Sequence, residues 1–125
     1  MWADRRGAQT PEELGTLLED ALMLGDHRAL TTLFAPGATL VTDRDPPARG
    51  REAIGLLALA TWDDEHPYIA DPRQVVVARD IALIIAEQGI HVAHRDRDGA
   101  WQYAIVLQPL KEGKEKEREQ EWFIQ

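Results

Sequence analysis

Residues 25–54 read GDHRALTTLFAPGATLVTDRDPPARGREAI, and the order of their breaks and starts decides how the chain folds. Gly25 supplies the left-handed residue that ends a preceding helix. Asp26 caps a second, shorter helix whose inward face is Ala29, Leu30, Leu33 and Phe34. Pro36 prevents that helix from continuing, and Gly37 turns the chain into a strand, ATLVT. Alternation along the strand places Ala38, Leu40 and Thr42 on one face. DRDPP, residues 43–47, is polar and proline-rich and reads as a loop. From Gly50, REAIGLLALATW predicts a third helix with Ile54, Leu57, Ala58 and Trp62 inward. Gly55 inside it costs about 1 kcal/mol against alanine.

Upstream, Thr10 can cap a helix, Pro11 suits its first position, and Glu13 completes a capping box with Thr10. Leu14, Leu17, Leu18, Ala21 and Leu22 recur at helical spacing and make one apolar face. Residues 1–9 show no periodicity and read as a loose arm, which leaves a single domain over 10–125. Downstream of the third helix, DDEHPYIADP is a second loop broken by Pro67 and Pro72. The pattern then changes to strands. QVVVAR is short and apolar, Asp80 marks a turn, and IALIIAEQGIHVAH reads as one long strand rich in branched residues, with Gly89 as a bulge or bend. Asp98-Gly99 is a hairpin signal, and AWQYAIVLQPL returns as another strand stopped by Pro109. The tail KEGKEKEREQEWFIQ has two readings. Its lysines and glutamates suit an exposed helix with i,i+4 ion pairs, but Trp122, Phe123 and Ile124 are adjacent and lack helical spacing. A charged hairpin loop over 111–121 feeding a short final strand, EWFIQ, is preferred.

Helices followed by a run of strands indicate an α+β fold. With 44% hydrophobic and 29% charged residues the chain has the balance of an ordinary soluble domain. No apolar run reaches the roughly 20 residues that span a bilayer, and MWADRRGAQT lacks the apolar core of a signal peptide, so a cytoplasmic location is the default expectation. There is no cysteine, which excludes disulfides, thiolate zinc sites and a cysteine nucleophile. A net charge of −8 argues against nucleic acid and against an anionic membrane surface, both of which call for clustered positive charge. No phosphate-binding glycine loop, serine–histidine–aspartate set or HExxH occurs, so no cofactor is expected.

The wording GDHRALTTLFAPGATLV followed by RGREAI resembles the nuclear transport factor 2-like superfamily, in particular its SnoaL-like and ketosteroid-isomerase-like members. Asp80-Ile81-Ala82-Leu83 and Asp98-Gly99-Ala100-Trp101 match its later strands. The resemblance implies a cone: three N-terminal helices packed on a strongly curved antiparallel sheet around an apolar pocket, with a homodimer formed through the sheet. It does not choose a reaction, because the superfamily spans isomerases, dehydratases, cyclases and non-catalytic proteins.

Ketosteroid isomerase chemistry needs a carboxylate base on the first strand, plus a tyrosine and a protonated acid for the oxyanion. Counted from the shared landmarks, the tyrosine position falls on Leu18 and the base position on Thr42. Trp101 to Gln108 contains no carboxylate in any register. The resemblance therefore supplies the fold and withholds that mechanism. Asp43 is one residue past Thr42 and faces away from the pocket in a regular strand; only a bulge brings it in, and a solvated loop aspartate is the simpler reading. His27 sits beside a helix cap and reads as solvated. His66 lies in the loop cluster Asp63-Asp64-Glu65-His66, which lacks the converging ligands of a metal site.

His91 and His94, three apart on one strand, point to opposite faces. If Asp98-Gly99 makes a two-residue turn, Ile90 and Val92 share a face with Tyr103, Ile105 and Leu107, and His94 joins them near the rim. His91 then shares the other face with Ala104 and Val106, and parity does not say which face lines the pocket. The candidate proton carriers are thus His91, His94, Asp43 and His66. Leu18, Leu40, Thr42, Trp62 and Tyr103 are expected to line the cavity. Two readings follow: an acid–base isomerase, cyclase or dehydratase acting on a small apolar molecule, or a non-catalytic binding or dimerisation domain.

Overall fold

The computed structural model describes residues 7–42, 46–61, 72–86 and 89–108. The first helix, α1 (Pro11–Leu24), begins where Thr10 accepts from the Glu13 backbone N–H at 3.2 Å. The Glu13 carboxylate reaches back one residue further than a capping box requires and accepts from the Gln9 N–H at 2.6 Å. Gly25, at φ 64°, ends the helix: its N–H goes to the Leu22 carbonyl and that of Asp26 to the Ala21 carbonyl, which satisfies the last turn. Asp26 then caps α2 (His27–Thr31) by accepting from the Ala29 N–H at 3.1 Å.

The second helix is shorter than the sequence suggests. Phe34 already belongs to the first strand, β1 (Phe34–Val41), which therefore starts before Pro36 and not after Gly37. The missing proline N–H is tolerated because β1 leaves its pairing register between Phe34 and Thr39, so no ladder bond is lost there. After a two-residue strand, β2 (Ala48–Arg49), the Gly50 N–H donates to the Ala38 carbonyl and opens α3 (Arg51–Thr61). The Arg51 Nε donates to the Phe34 carbonyl at 2.7 Å, tying the start of α3 to the start of β1. Gly55 has a packing reason: a Cβ there would sit 2.9 Å from the His27 ring, so the glycine lets α2 and α3 close on each other.

Four strands complete the sheet: β3 (Pro72–Ala78), β4 (Ile81–Ala86), β5 (Gly89–Arg95) and β6 (Trp101–Leu107). The expected single strand from Ile81 to His94 is two antiparallel strands, with Ala86 opposite Gly89. A straight strand of that length has nothing to bury its second half against, whereas folding it back pairs both halves. The sheet order is β2-β1-β6-β5-β4-β3. All neighbours are antiparallel except β1 and β6, which run parallel, so the sheet is mixed and not purely antiparallel. The helices pack against one face of this curved, open sheet, α1 over β6, β4 and β3, and α3 over β1 and β2.

The core between the layers is Leu14, Leu18, Leu30, Phe34, Leu40, Ile54, Ile84, Tyr103 and Val106 with small alanines between them. At the end of the expected arm, Ala8 is fully buried and its carbonyl accepts from the Trp101 N–H at 3.0 Å. Among the described residues no helix is long and apolar enough to cross a membrane. The alternatives for 111–121 and the final strand EWFIQ lie outside the described residues, as do Asp43, Trp62 and His66.

Candidate functional site

Among the described residues the buried part of the sheet's inner face is apolar apart from His91 and the Tyr103 hydroxyl, with Arg95 at its exposed rim over the Trp101 ring. His91, near the start of β5, is 1% exposed and is the buried polar side chain of the described core. Its cross-strand neighbours are Ile84 on β4 and Val106 on β6, and along its own strand Gly89 and Ala93 share its face. The His91 and Tyr103 rings meet edge to face, with centroids 5.6 Å apart at 78°. Tyr103 in turn lies 5.5 Å from Phe34 at a 35° tilt. The three rings form a row from β1 across β6 to β5.

Two local features bring Tyr103 there, and neither is a two-residue turn. The hairpin closes at Arg95 and Trp101 around a five-residue loop, 96–100, in which the Asp96 carboxylate accepts from the Asp98 N–H at 2.8 Å and the Ala100 N–H at 3.0 Å. That offset places Tyr103 opposite Ala93. One residue later the register shifts, Ala104 is left over, and Ile105 faces Val92 while Val106 faces His91. An extra residue reverses the side on which every following side chain points. Trp101 and Tyr103 therefore join Val106 and His91 inside, whereas Ile105 and Leu107 join Ile90 and Val92 outside. The predicted companionship of Tyr103 with Ile90 and Val92 fails for this reason alone; the pairing of His91 with Val106 stands.

The electrostatics of His91 follow from its surroundings. Burial penalises the imidazolium and lowers the pKa from 6.5 to about 4, with the nearby Ile90 backbone opposing weakly. Neither ring nitrogen makes a hydrogen bond of proper geometry among the described residues. At neutral pH the ring is thus an uncharged imidazole with one N–H and one lone pair, and the Ile90 backbone is the polar contact beside it, short of a well-formed hydrogen bond.

The other candidates are placed as follows. His94 is exposed on the outer face, opposite Ile81 and Gln102, and does not meet His91. Leu18 and Leu40 are buried at 1% exposure, and Thr42 is half-buried just past the end of β1. Leu18 and Thr42 are the residues that the resemblance sets at the isomerase's tyrosine and carboxylate positions, and β6 carries no carboxylate. His27 is not simply solvated: it is half-buried against Gly55, with its Nε2 3.6 Å from a Glu52 carboxylate oxygen. Among the described residues no group of three or more histidine and acidic side chains converges as a metal site would require. The sequence alone does not bring Phe34 into the row or Ile84 beside it. The signal for Ile84 was present, since the polar break EQG at 87–89 interrupts a run much longer than the typical strand.

No family model and no curated protein matches the sequence. Solved structures do match. A protein with a cystatin-like fold from Novosphingobium aromaticivorans, described as nuclear transport factor 2-like, superposes with a TM-score of 0.65 at 17% identity, over 86% of this chain and 84% of that one. A ketosteroid isomerase-like protein from Erwinia carotovora atroseptica gives 0.59 at 15% identity, over 77% and 89%. A putative calcium/calmodulin-dependent protein kinase type II association domain from Thiobacillus denitrificans gives 0.60 at 12% identity, over 83% and 98%. At these identities the likeness is one of fold: the chain has the α+β, nuclear transport factor 2-like fold that its sequence resembles.

Proposed function

We propose that this chain holds a small, largely apolar organic molecule against the inner face of its sheet, with His91 as the polar group that meets it. One observation carries the reading: His91 is 99% removed from solvent, with neither ring nitrogen hydrogen-bonded among the described residues. A buried polar group left unmatched costs about 1–3 kcal/mol, and such groups persist where a ligand supplies the missing partner. Leu18, Leu40 and Tyr103 line the same side. The chemistry open to such a site is acid–base isomerisation, cyclisation or dehydration, with His91 exchanging the proton. A fragment screen followed by the histidine ring resonances in NMR tests this. Bound fragments shift the His91 ring signals, and His91→Phe weakens their binding about tenfold, the equivalent of one good hydrogen bond. Fragments that bind without touching His91 would overturn the assignment. Binding without turnover of any screened substrate would leave a non-catalytic carrier.

The outer face supports a second role. Val76, Leu83, Val92 and Ile105 form one register row across four strands, and Ile85, Ile90 and Leu107 form the next. Leu83, Ile90, Ile105 and Leu107 are each 39–44% exposed, and neither row contains a carboxylate. We propose that a second copy covers this face. A chain of net charge −8 repels itself elsewhere, and an isologous contact through an uncharged apolar patch avoids that repulsion. Similarity in fold to a protein named an association domain is in keeping with this. Sedimentation should give twice the 14.1 kDa chain mass, and Leu83→Asp with Ile105→Asp should give the monomer with its far-UV spectrum retained. A wild-type monomer at micromolar concentration would end the proposal.

A further inference from the structure

Each described side chain around His91 bears on what kind of ligand its ring can meet. Across the strands stand Ile84 and Val106, along β5 stand Gly89 and Ala93, and Tyr103 meets the ring in an edge-to-face contact. The buried set of the described residues contains no lysine and no arginine. A carboxylate or phosphate brought to this ring would lose its hydration, and no fixed cation in that set would replace it. Burying an unpaired anion costs several kcal/mol. Within that described buried set, the group able to take up a compensating charge is the His91 ring itself, and only after gaining a proton that its burial disfavours. The overall charge of −8 opposes an anionic ligand further. An uncharged oxygen meets none of these penalties. It accepts from the ring N–H or donates to the ring lone pair, and the rest of the molecule lies on apolar side chains.

Building on the placement of a ligand at His91 proposed above, we infer that the site selects an uncharged, oxygen-bearing molecule, a ketone or an alcohol, and rejects the carboxylate of the same size. A ketone accepts from the neutral imidazole N–H, which polarises the carbonyl as a hydrogen-bond donor and leaves the ring uncharged in the bound complex. His91 is then the specificity-determining contact, and selection rests on charge and not on shape.

Three small fluorinated probes of similar size separate these points by fluorine NMR titration of the intact chain at pH 7: 4-fluoroacetophenone, 4-fluorobenzoate and 4-fluorotoluene. The ketone is expected to bind at least about tenfold more tightly than the benzoate, which one desolvated charge exceeds comfortably. It should also bind several-fold more tightly than the toluene. His91→Phe should bring the ketone down to the level of the toluene, and His91→Gln, which keeps an uncharged donor, should restore part of the difference. Both variants remove or replace a buried unmatched ring, so the fold is expected to survive, and thermal melts check it. If the benzoate binds as tightly as the ketone and both depend on His91, the charge selection is wrong while the ligand contact stands. If the ketone binds equally well to wild type and His91→Phe, the contact itself is wrong. Failure of all three probes to bind counts against both.

Discussion

Between pH 6.5 and 4 the protein is expected to lose about 3 kcal/mol of stability through His91 alone, and the variant His91→Phe should not show this loss. The unfolded chain takes up a proton on this histidine near 6.5, whereas the folded chain resists until about 4. Over that window the unfolded state binds more protons, so stability falls as the pH falls. The contribution is fully present above 6.5, is lost progressively on the way down, and is constant once both states are protonated below about 4. A difference of about 2.5 pKa units corresponds to about 3 kcal/mol at 1.36 kcal/mol per unit. Carboxylates titrate in the lower part of the same range, so the quantity to measure is the difference between wild type and His91→Phe in guanidinium unfolding at each pH. The gap between the two curves should be smallest and constant near pH 7 and should widen below 6.5 in favour of the variant. Even at pH 7 the variant should be more stable by about 1 kcal/mol, because an apolar ring of similar size replaces unmatched polar atoms. Parallel curves across the whole range would mean that the ring is hydrated or hydrogen-bonded in solution.

Gly89→Ala should be the most damaging single-methyl substitution in the sheet. A Cβ at Gly89 would run into the carbonyl oxygen of Leu107, and would lie 3.2 Å from the His91 ring. The obstacle is backbone, which cannot rotate aside as a side chain can. Relief requires the start of β5 to move away from β6, where Ile90 pairs with Leu107 and His91 with Val106. Overpacking of this kind costs roughly 1–3 kcal/mol where side chains can yield, and about 3 kcal/mol or more is expected here. Gly37→Ala is the control. No atom lies within 4 Å of a Cβ at Gly37, so thermal denaturation should place it near wild type. The same measurement reads the site: separating β5 from β6 pulls His91 away from Tyr103, and the His91 ring signals should move in Gly89→Ala and remain in Gly37→Ala. Equal melting temperatures for the two variants would refute the close approach of β5 to β6.

Much of the fold was legible because its signals are local. Thr10, Asp26 and Gly25 act on backbone groups within a few residues of themselves, so their roles as caps and stop do not depend on the rest of the chain. The apolar spacing of Leu14, Leu18 and Ala21 marks the buried side of α1 without reference to its partner. The family resemblance added the sheet, and the count from Gly25 placed Leu18 and Thr42 where a tyrosine and a carboxylate would be needed. Errors arose where a local signal was ambiguous. Pro36 reads locally as a break before the first strand, but the strand accommodates it by leaving its register. Within α3 alone Gly55 is a cost, but its value lies in the close contact with His27, which no intrahelical argument contains.

By itself the sequence determined the α+β fold, both ends of α1, the start of α2 and the short set of residues among which a polar contact had to be sought. It also determined that His91 and His94 face opposite ways, since alternation in a strand is a local property. Only the tertiary structure decided which of the two faces inward and what stands beside it. That decision rests on the five-residue loop at 96–100 and on the one surplus residue, Ala104, in β6. Inward and outward are defined by which face the helices cover, and a strand pattern with apolar residues on both sides does not reveal that. A one-residue bulge leaves no mark in composition or periodicity, yet it turns Tyr103 from the outer face to the His91 ring. The content of the site was therefore written in the sequence, and its assembly was written in the register between strands.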